Sequence, residues 1–308
     1  MNEIIKWIKI EDISFFTRVW VHESIEPRGI FLLIHGSVEH SQRYKHFAEA
    51  LVENGYVVIA PDLRGHGQTG LESGRLGYFS DDPMGWELAV HDLKVMYDTS
   101  CQWYPELPVT LFGHSMGSYL VRCFLKEYPV LIKGVILSGT GSFASGIGDI
   151  GIWLSKILMH VKGRSHKSEF LTELVYGNLN KRIPNTQTPF DFLTRDSKEV
   201  AAYIEDPLCG YTCSAEFIHE MLLGTKKANV LEVFQLKNKE LPLLIISGTN
   251  DPVGDRNGKG IKKVVNLYNE YMENVTTHFY EGARHEVLNE LYRKDVMEDI
   301  FAWLSSFK

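Results

Sequence analysis

Residues 109–128 read VTLFGHSMGSYLVRCFLKEY and decide the fold class. The apolar run Val109–Phe112 predicts a short buried strand, and Tyr119–Tyr128 has the apolar spacing of a helix that is stopped by Pro129. Between them, residues 113–117 match the pattern G-x-S-x-G, and this strand-to-helix setting predicts a sharp turn that exposes a serine hydroxyl. Ser115 is therefore the predicted nucleophile.

The residues around Ser115 fit such a turn for steric reasons. Gly113 and Gly117 leave room for a strained backbone between the strand and the helix. The N–H of Met116 then lies at the helix N-terminus, where it points toward the oxyanion that develops during attack. His114 is adjacent in sequence, but its side chain points away from that of Ser115 at this turn, so we interpret it as structural.

Four further apolar runs predict strands that are buried on both faces. They are Gly29–His35, Tyr56–Ala60, Val135–Leu137 and Leu243–Ser247. Segments with helical spacing, such as Trp86–Tyr97, lie between them. This alternation predicts an α/β fold with a mostly parallel central sheet and helices on both faces.

Two segments depart from the alternation. Ile4–Ile10 and Phe15–Trp20 predict an antiparallel hairpin that leads the sheet. A long helical stretch that includes Gly146–Val161 predicts an insert, and inserts at the carboxyl ends of strands lie over the ligand crevice. The predicted division is a core of residues 1–139 and 241–308 and a helical cap of residues 140–240.

Composition and charge exclude several classes of partner. The 308 residues carry a net charge of −7, so no general positive field attracts nucleic acid or anionic membrane. The sequence has no recognisable export signal and no apolar run of about 18 residues that could span a bilayer. The four cysteines form no C-x-x-C pair and no zinc spacing, which predicts reduced thiols in a cytoplasmic protein without a metal.

An acid and a base are predicted from chain order. Asp251 follows the fifth central strand, where a buried carboxylate orients a histidine and stabilises its cation. Asp255 lies four residues further on and is the competing acid. His285 follows the strand predicted at Thr276–Tyr280, which gives the order serine, aspartate, histidine.

Two further loops complete the predicted site. The N–H of Ser37 follows the first central strand, where a second oxyanion donor is expected, and His35 is interpreted as architectural. Residues 64–70, RGHGQTG, predict a tight loop behind the catalytic turn. That loop is not a phosphate cradle, because no G-K-[ST] follows.

These motifs together resemble the monoacylglycerol lipase and lysophospholipase branch of the α/β hydrolases. The matching segments are HGSVEH (35–40) with Arg43-Tyr44, DLRGHG (62–67), GHSMG (113–117), FDFLTRD (190–196), DPLCG (206–210), DPVG (251–254) and GARHE (282–286). The segments within the insert look like bacterial members. The resemblance therefore covers nearly the whole chain.

The resemblance implies an α/β-hydrolase fold and hydrolysis of monoacyl lipid esters. It implies Ser115, Asp251 and His285 as the triad, the N–H groups of Ser37 and Met116 as the oxyanion hole, and no metal or organic cofactor. Departures from the family pattern bear on the substrate and leave the mechanism unchanged. Ser37-Val38 replace a common Ala-Gly pair, and Ser118 stands where a third glycine is common.

The cap has an apolar face over residues 147–158. It predicts either an acyl pocket that Ile150 and Trp153 help to form, or ordinary packing on the core, and transient contact with membrane or micelles is a further expectation. Acyl length, head group and oligomeric state are left open.

Two other functions are weighed. A proline-iminopeptidase-like serine aminopeptidase shares the fold and triad but needs an acidic group for the substrate amine. A non-catalytic receptor on the same fold would not need the complete triad. An aspartate-nucleophile enzyme is disfavoured by Ser115.

Overall fold

A computed structural model describes residues 1–128, 131–181, 183–230, 239–254 and 258–306 of the chain. Pro129, the predicted helix stop, and Asp255, the competing acid, lie outside these residues. The eight strands are β1 (Asn2–Ile10), β2 (Ile13–Val21), β3 (Gly29–Ile34), β4 (Tyr56–Pro61), β5 (Val109–His114), β6 (Gly134–Ser138), β7 (Leu243–Gly248) and β8 (Val275–Tyr280).

All eight strands form one sheet in the order β1-β2-β4-β3-β5-β6-β7-β8. The hairpin β1-β2 and the pair β2-β4 are antiparallel, and the other neighbours are parallel. Every residue of β3, β4, β5, β6 and β7 is buried, because helices cover both faces. The predicted α/β fold class and the leading hairpin are confirmed.

The helices pack on the two faces as the alternation predicted. They are α1 (Lys45–Glu53), α2 (Gly67–Glu72), α3 (Gly85–Trp103), α4 (Met116–Glu127), α5 (Ile147–Lys162), α6 (Glu169–Thr172), α7 (Asn178–Asn180), α8 (Ser197–Glu205), α9 (Ala215–Ala228), α10 (Lys259–Tyr271) and α11 (Arg293–Ser306). Residues of α1 and α11 share one core with the sheet, and residues of α3, α4 and α10 share the core on the opposite face.

The structure moves several predicted boundaries. Helix α4 begins at Met116, directly after Ser115, rather than at Tyr119. Helix α3 continues to Trp103, beyond the predicted end at Tyr97. Most of the residues added at these ends are small or polar, and such residues give no apolar periodicity from which a helix could be predicted.

The helices α5–α9 lie between β6 and β7, as predicted for the cap. Helix α5 packs on α9, which packs on the core helices α3 and α4. The exact division at residues 139/140 and 240/241 stays a prediction, since residues 231–238 are outside the described part of the chain. Among the helices that the structure describes, none is both long and apolar enough to cross a bilayer.

Candidate active site

Ser115 occupies a strained turn between β5 and α4. Its φ of 50° and ψ of −119° are unfavourable for a residue with a side chain, and its N–H is held by the carbonyl of Ser138 at 2.9 Å. Gly117 has no room for a Cβ, which would collide with the carbonyl oxygens of Ile34 and His35. The turn therefore depends on glycine where the sequence pattern places it, and α4 starts at the next residue.

Asp251 and His285 form a buried pair at the carboxyl ends of β7 and β8. The Nδ1 atom of His285 lies 3.0 Å from each carboxylate oxygen of Asp251, and the N–H of Val253 donates to the same carboxylate at 2.8 Å. Burial lowers the pKa of His285, but the charge and hydrogen bond of Asp251 outweigh burial and raise it above 6.5. With its Nδ1 proton held there, the neutral ring has Nε2 free to accept a proton.

The serine turn and the histidine approach each other around the end of β6. A Cβ on Gly139 would lie 2.9 Å from Cε1 of His285, so this glycine leaves the space that the imidazole ring uses. The ring of His114 lies 4.7 Å from that of His285, and burial lowers the pKa of His114 to about 4. His114 is therefore neutral and packed, which agrees with its structural interpretation.

His35 fixes the peptide that carries the N–H of Ser37. One ring nitrogen, Nε2, accepts the N–H of Leu63 at 2.9 Å, so the other, Nδ1, carries the proton and donates it to the carbonyl of Gly36 at 2.7 Å. Because a trans peptide is planar, fixing the Gly36 carbonyl also fixes the Ser37 N–H in the opposite direction. A Cβ on Gly36 would lie 3.2 Å from Cβ of Ser115, so this loop is close to Ser115.

The glycine-rich loop of residues 64–70 supports this arrangement from behind. Leu63, directly before this loop, donates its N–H to His35, and Arg64 at the start of the loop forms a buried ion pair with Asp92 at 2.7 Å. The carboxylate of Asp62 accepts the N–H groups of Ser41 at 2.9 Å and of Gln68 at 2.8 Å. These contacts fit the predicted scaffolding role.

A buried network that sequence reasoning did not assign joins the two loops of the site. Arg43 contacts Glu39 at 2.6 Å and Glu286 at 2.6 and 2.7 Å. Glu39 also accepts the N–H of Gly36 at 2.6 Å and the hydroxyl of Tyr44 at 2.8 Å. Burial alone raises the pKa of Glu286, but Arg43 overrides that effect and lowers it to about 2. Two signals were available: the Glu39/Arg43 spacing of four residues, and the presence of Glu39, Arg43 and Glu286 in segments that match the family.

A cavity of about 700 Å³ lies between the cap and the loop after β3. Its lining is mainly aromatic and apolar and includes Val38, Phe170, Tyr176, Phe190, Phe192 and Tyr203. The ring of Phe192 lies 6.2 Å from that of His285, so the cavity reaches the Asp251–His285 pair.

Ile150 and Trp153 do not line this cavity. Their side chains are 57% and 61% exposed, because α5 turns its small residues Gly148, Gly151 and Ser155 toward the protein. The sequence shows an apolar face but does not show that small residues pack α5 closely against α9. A role of these two residues in substrate binding stays a prediction.

One group in the described part of the chain has the composition of a metal site: His40, Asp206 and Cys209. His40 Nε2 already bonds the Asp206 carboxylate at 2.8 Å, and burial raises the pKa of the Cys209 thiol far above its usual value. The guanidinium of Arg43 acts electrostatically on both the acid and the thiol. A protonated thiol beside a fixed positive charge does not suit a cation, so we describe this group as a hydrogen-bonded contact between cap and core.

Comparison with known proteins identifies the family of the chain. A family model described as serine aminopeptidase, S33, matches residues 25–292. The monoacylglycerol lipase of Mycolicibacterium smegmatis is 29% identical over 94% of this chain and 91% of that protein. Phospholipase YtpA of Bacillus subtilis is 26% identical over 94% of this chain and 100% of that protein.

Solved structures also include similar α/β hydrolases. A thermostable carboxyl esterase from Bacillus coagulans, in complex with glycerol, superposes with a TM-score of 0.90 at 27% identity, covering 100% of this chain and 99% of that one. The resemblance predicted from the motifs is confirmed. The chain belongs to the serine aminopeptidase S33 family of α/β hydrolases, in the branch that includes the monoacylglycerol lipases.

Proposed function

We propose that the protein is a serine hydrolase that cleaves carboxylic esters of single-chain lipids, of the monoacylglycerol lipase or lysophospholipase type. The observation that carries the proposal is the buried contact of Asp251 with Nδ1 of His285, beside the strained turn of Ser115. This arrangement has the parts and the chain order of an acyl-transfer triad.

In the acylation half, Nε2 of His285 takes the proton of Ser115 as Oγ attacks the ester carbonyl. Asp251 holds the ring in the required tautomer and stabilises the imidazolium that forms. The developing oxyanion accepts the N–H groups of Ser37 and Met116, each of which is worth about 10²–10³ in rate at sites of this kind. The ester C–O bond then breaks, and His285 returns its proton to the departing alcohol.

In the deacylation half, water replaces the alcohol. His285 removes a proton from water as it attacks the acyl-enzyme carbonyl, and the same two N–H groups hold the second oxyanion. Cleavage of the bond to Ser115 Oγ releases the carboxylic acid and returns the proton to the serine. Every proton is carried by His285, and the remaining atoms come from substrate and water.

The cavity and the relatives support a lipid ester as substrate. Its aromatic lining suits an acyl chain, and its volume of about 700 Å³ lies within the usual range for small-molecule sites. One relative is named a monoacylglycerol lipase and another a phospholipase. The aminopeptidase alternative is less well supported, because these relatives are named as a lipase and a phospholipase. The carboxylates of Glu169 and Glu173 line the cavity, so the aminoacyl amides in the panel below test this alternative directly.

The outer face of α5 supports transient docking on membrane or micelles. Its exposed apolar residues are Ile147, Ile150, Trp153, Ile157 and Val161. An amphipathic helix with an exposed apolar stripe and a tryptophan partitions into the lipid interface. Ile150 and Trp153 would then bind the substrate aggregate rather than a single acyl chain.

The four cysteines are not joined in disulfides, which fits a cytoplasmic location.

A panel of substrates tests the proposal. Purified protein would be assayed with monoacylglycerols, lysophospholipids, p-nitrophenyl esters and aminoacyl amides. We expect turnover of the esters, with a preference for single-chain lipids over short esters, and little turnover of the amides. Hydrolysis of aminoacyl amides with no lipid-ester activity would favour the peptidase. Inactivity on all four classes, together with binding of a lipid, would favour the receptor.

A further inference from the structure

Val38 has a backbone conformation that its side chain disfavours. It directly follows Ser37, and its φ is 52° in a fully buried position. A β-branched residue in the left-handed region is strained, whereas glycine adopts that region freely. The loop that supplies an oxyanion N–H therefore contains a residue that would not keep this conformation without external support.

That support comes from the cap. The carbonyl of Val38 accepts the hydroxyl of Tyr203 at 2.9 Å and the N–H of Gly210 at 2.9 Å. Gly210 itself has φ of 62°, and a Cβ there would lie 2.9 Å from the ring of Phe190. The cap therefore presents two closely placed donors to one strained carbonyl, in a turn that depends on glycine.

A third cap contact reaches Ser37. The hydroxyl of Tyr176 forms a short hydrogen bond with Oγ of Ser37, and Tyr176 lies in the π-helical turn Glu173–Gly177. On its other side, Ser37 is held by the Gly36 peptide that His35 fixes. Ser37 thus lies between the Gly36 peptide, which carries its N–H and is held by the core, and Val38, which is held by the cap.

We propose that Tyr203 is a positioning residue that holds Val38 in its strained conformation, so that docking of the cap and the His35 contact together keep the Ser37 N–H in place. The inference rests on the proposed ester hydrolysis. Docking of the cap and stabilisation of the oxyanion are then coupled. When the cap contacts to the Val38 carbonyl are lost, Val38 relaxes toward negative φ, and the Ser37 N–H is no longer held toward the oxyanion. The coupling is stronger here than in a chain with glycine at this position, because glycine would need no support.

Tyr203 also lines the cavity, so a direct contact with substrate is the competing explanation. The two explanations differ in their dependence on Val38. If Tyr203 contacts the substrate, its removal lowers kcat by the same factor whatever residue occupies position 38. If Tyr203 offsets backbone strain at Val38, its removal has little effect on kcat once the strain has been removed.

The experiment measures Tyr203→Phe in the wild-type and in the Val38→Gly background. The substrate is p-nitrophenyl butyrate, which needs the triad and the oxyanion hole but no long acyl site. We expect Tyr203→Phe to lower kcat about tenfold with KM little changed in the wild-type background, the size of one hydrogen bond expressed in the transition state. In the Val38→Gly background the same change should lower kcat less than about threefold.

Tyr97→Phe is the matched control, since its hydroxyl also donates to a carbonyl, that of Leu131 at 2.6 Å, far from the site. Val38→Asn, which tolerates positive φ while keeping a Cβ, repeats the comparison if the glycine variant is poorly folded by circular dichroism. An equal loss in both backgrounds, or no loss in the wild type, overturns the proposal. Because the short ester reports only the catalytic machinery, failure of the lipid-ester proposal would appear separately, in the lipid panel.

Discussion

The guanidinium of Arg43 binds the carboxylate of Glu286 through two hydrogen bonds of 2.6 and 2.7 Å. Glu286 follows His285 in the chain, and Arg43 also holds Glu39, whose carboxylate accepts the Gly36 N–H. One arginine therefore connects the loop of the proposed base, His285, to the loop of the proposed oxyanion donor, Ser37. The paired N–H donors of a guanidinium match a carboxylate in a way that a lysine cannot reproduce.

Removal of that arginine should be costly. Arg43→Met leaves two buried carboxylates without their partner, and we expect a loss of about 3–5 kcal/mol in the free energy of unfolding. Urea denaturation measures it. Arg293→Met, which breaks a partly exposed pair with Glu199, is the control and should cost no more than about 1 kcal/mol. A loss of no more than about 1 kcal/mol in both variants would show that the Arg43 pairs contribute little to the free energy of unfolding.

The depressed pKa of Glu286 predicts sensitivity to acid. Its pKa is lowered from 4.5 to about 2 in the folded protein, so its pairing with Arg43 contributes stability above pH 4.5 and loses it as the pH falls toward 2. Glu286→Gln should therefore be less stable than wild type at pH 6. The difference should shrink as the pH is lowered below 4.5. A difference that does not vary with pH would contradict the assignment.

The raised pKa of His285 predicts the pH profile of the reaction. The base must be neutral to accept the proton of Ser115, so kcat/KM should rise with pH, and its midpoint should lie above the ordinary histidine value of 6.5. Asp251→Asn removes the charge that raises this pKa, so the midpoint should move down while the rate falls by about 10⁴. A midpoint that stays in place would point to another titrating group, and a rate that survives would leave Asp255 as the acid.

The exposed face of α5 predicts a selective loss on aggregated substrate. The double change Ile150→Ser and Trp153→Ser should reduce hydrolysis of monoacylglycerol micelles severalfold and weaken cosedimentation with lipid vesicles, because less apolar area enters the interface. Ile204→Ser, at another exposed apolar residue of the cap, is the matched control. Equal effects on micelles in the two proteins would remove the support for docking through α5.

Much of the site was predictable because its signals are local. The turn at Ser115 is set by glycines within two residues, and chain order together with a position directly after a strand singles out Asp251 and His285 as candidates. The contact between Arg43 and Glu286 spans 243 positions, and no local pattern encodes it. The sequence shows that Val38 replaces a small residue, but only the backbone shows that its φ is positive.

Which face of α5 is buried is a second feature that the sequence did not predict. Its apolar residues have helical spacing, and the usual rule places such a face inside. Here Gly148, Gly151 and Ser155 are buried instead, because close approach to α9 needs small side chains. The periodicity of apolar residues shows that a helix has an apolar face, but packing against neighbouring elements determines which face is buried.

Labelling with a fluorophosphonate tests the central claim most directly. The wild-type protein should form one covalent adduct, which peptide mass spectrometry should locate on Ser115. Ser115→Ala should form none and should retain less than about one-thousandth of the esterase activity, with an unchanged melting temperature. An adduct on another residue, or higher activity in a folded Ser115→Ala protein, would contradict the assignment of Ser115 as the nucleophile.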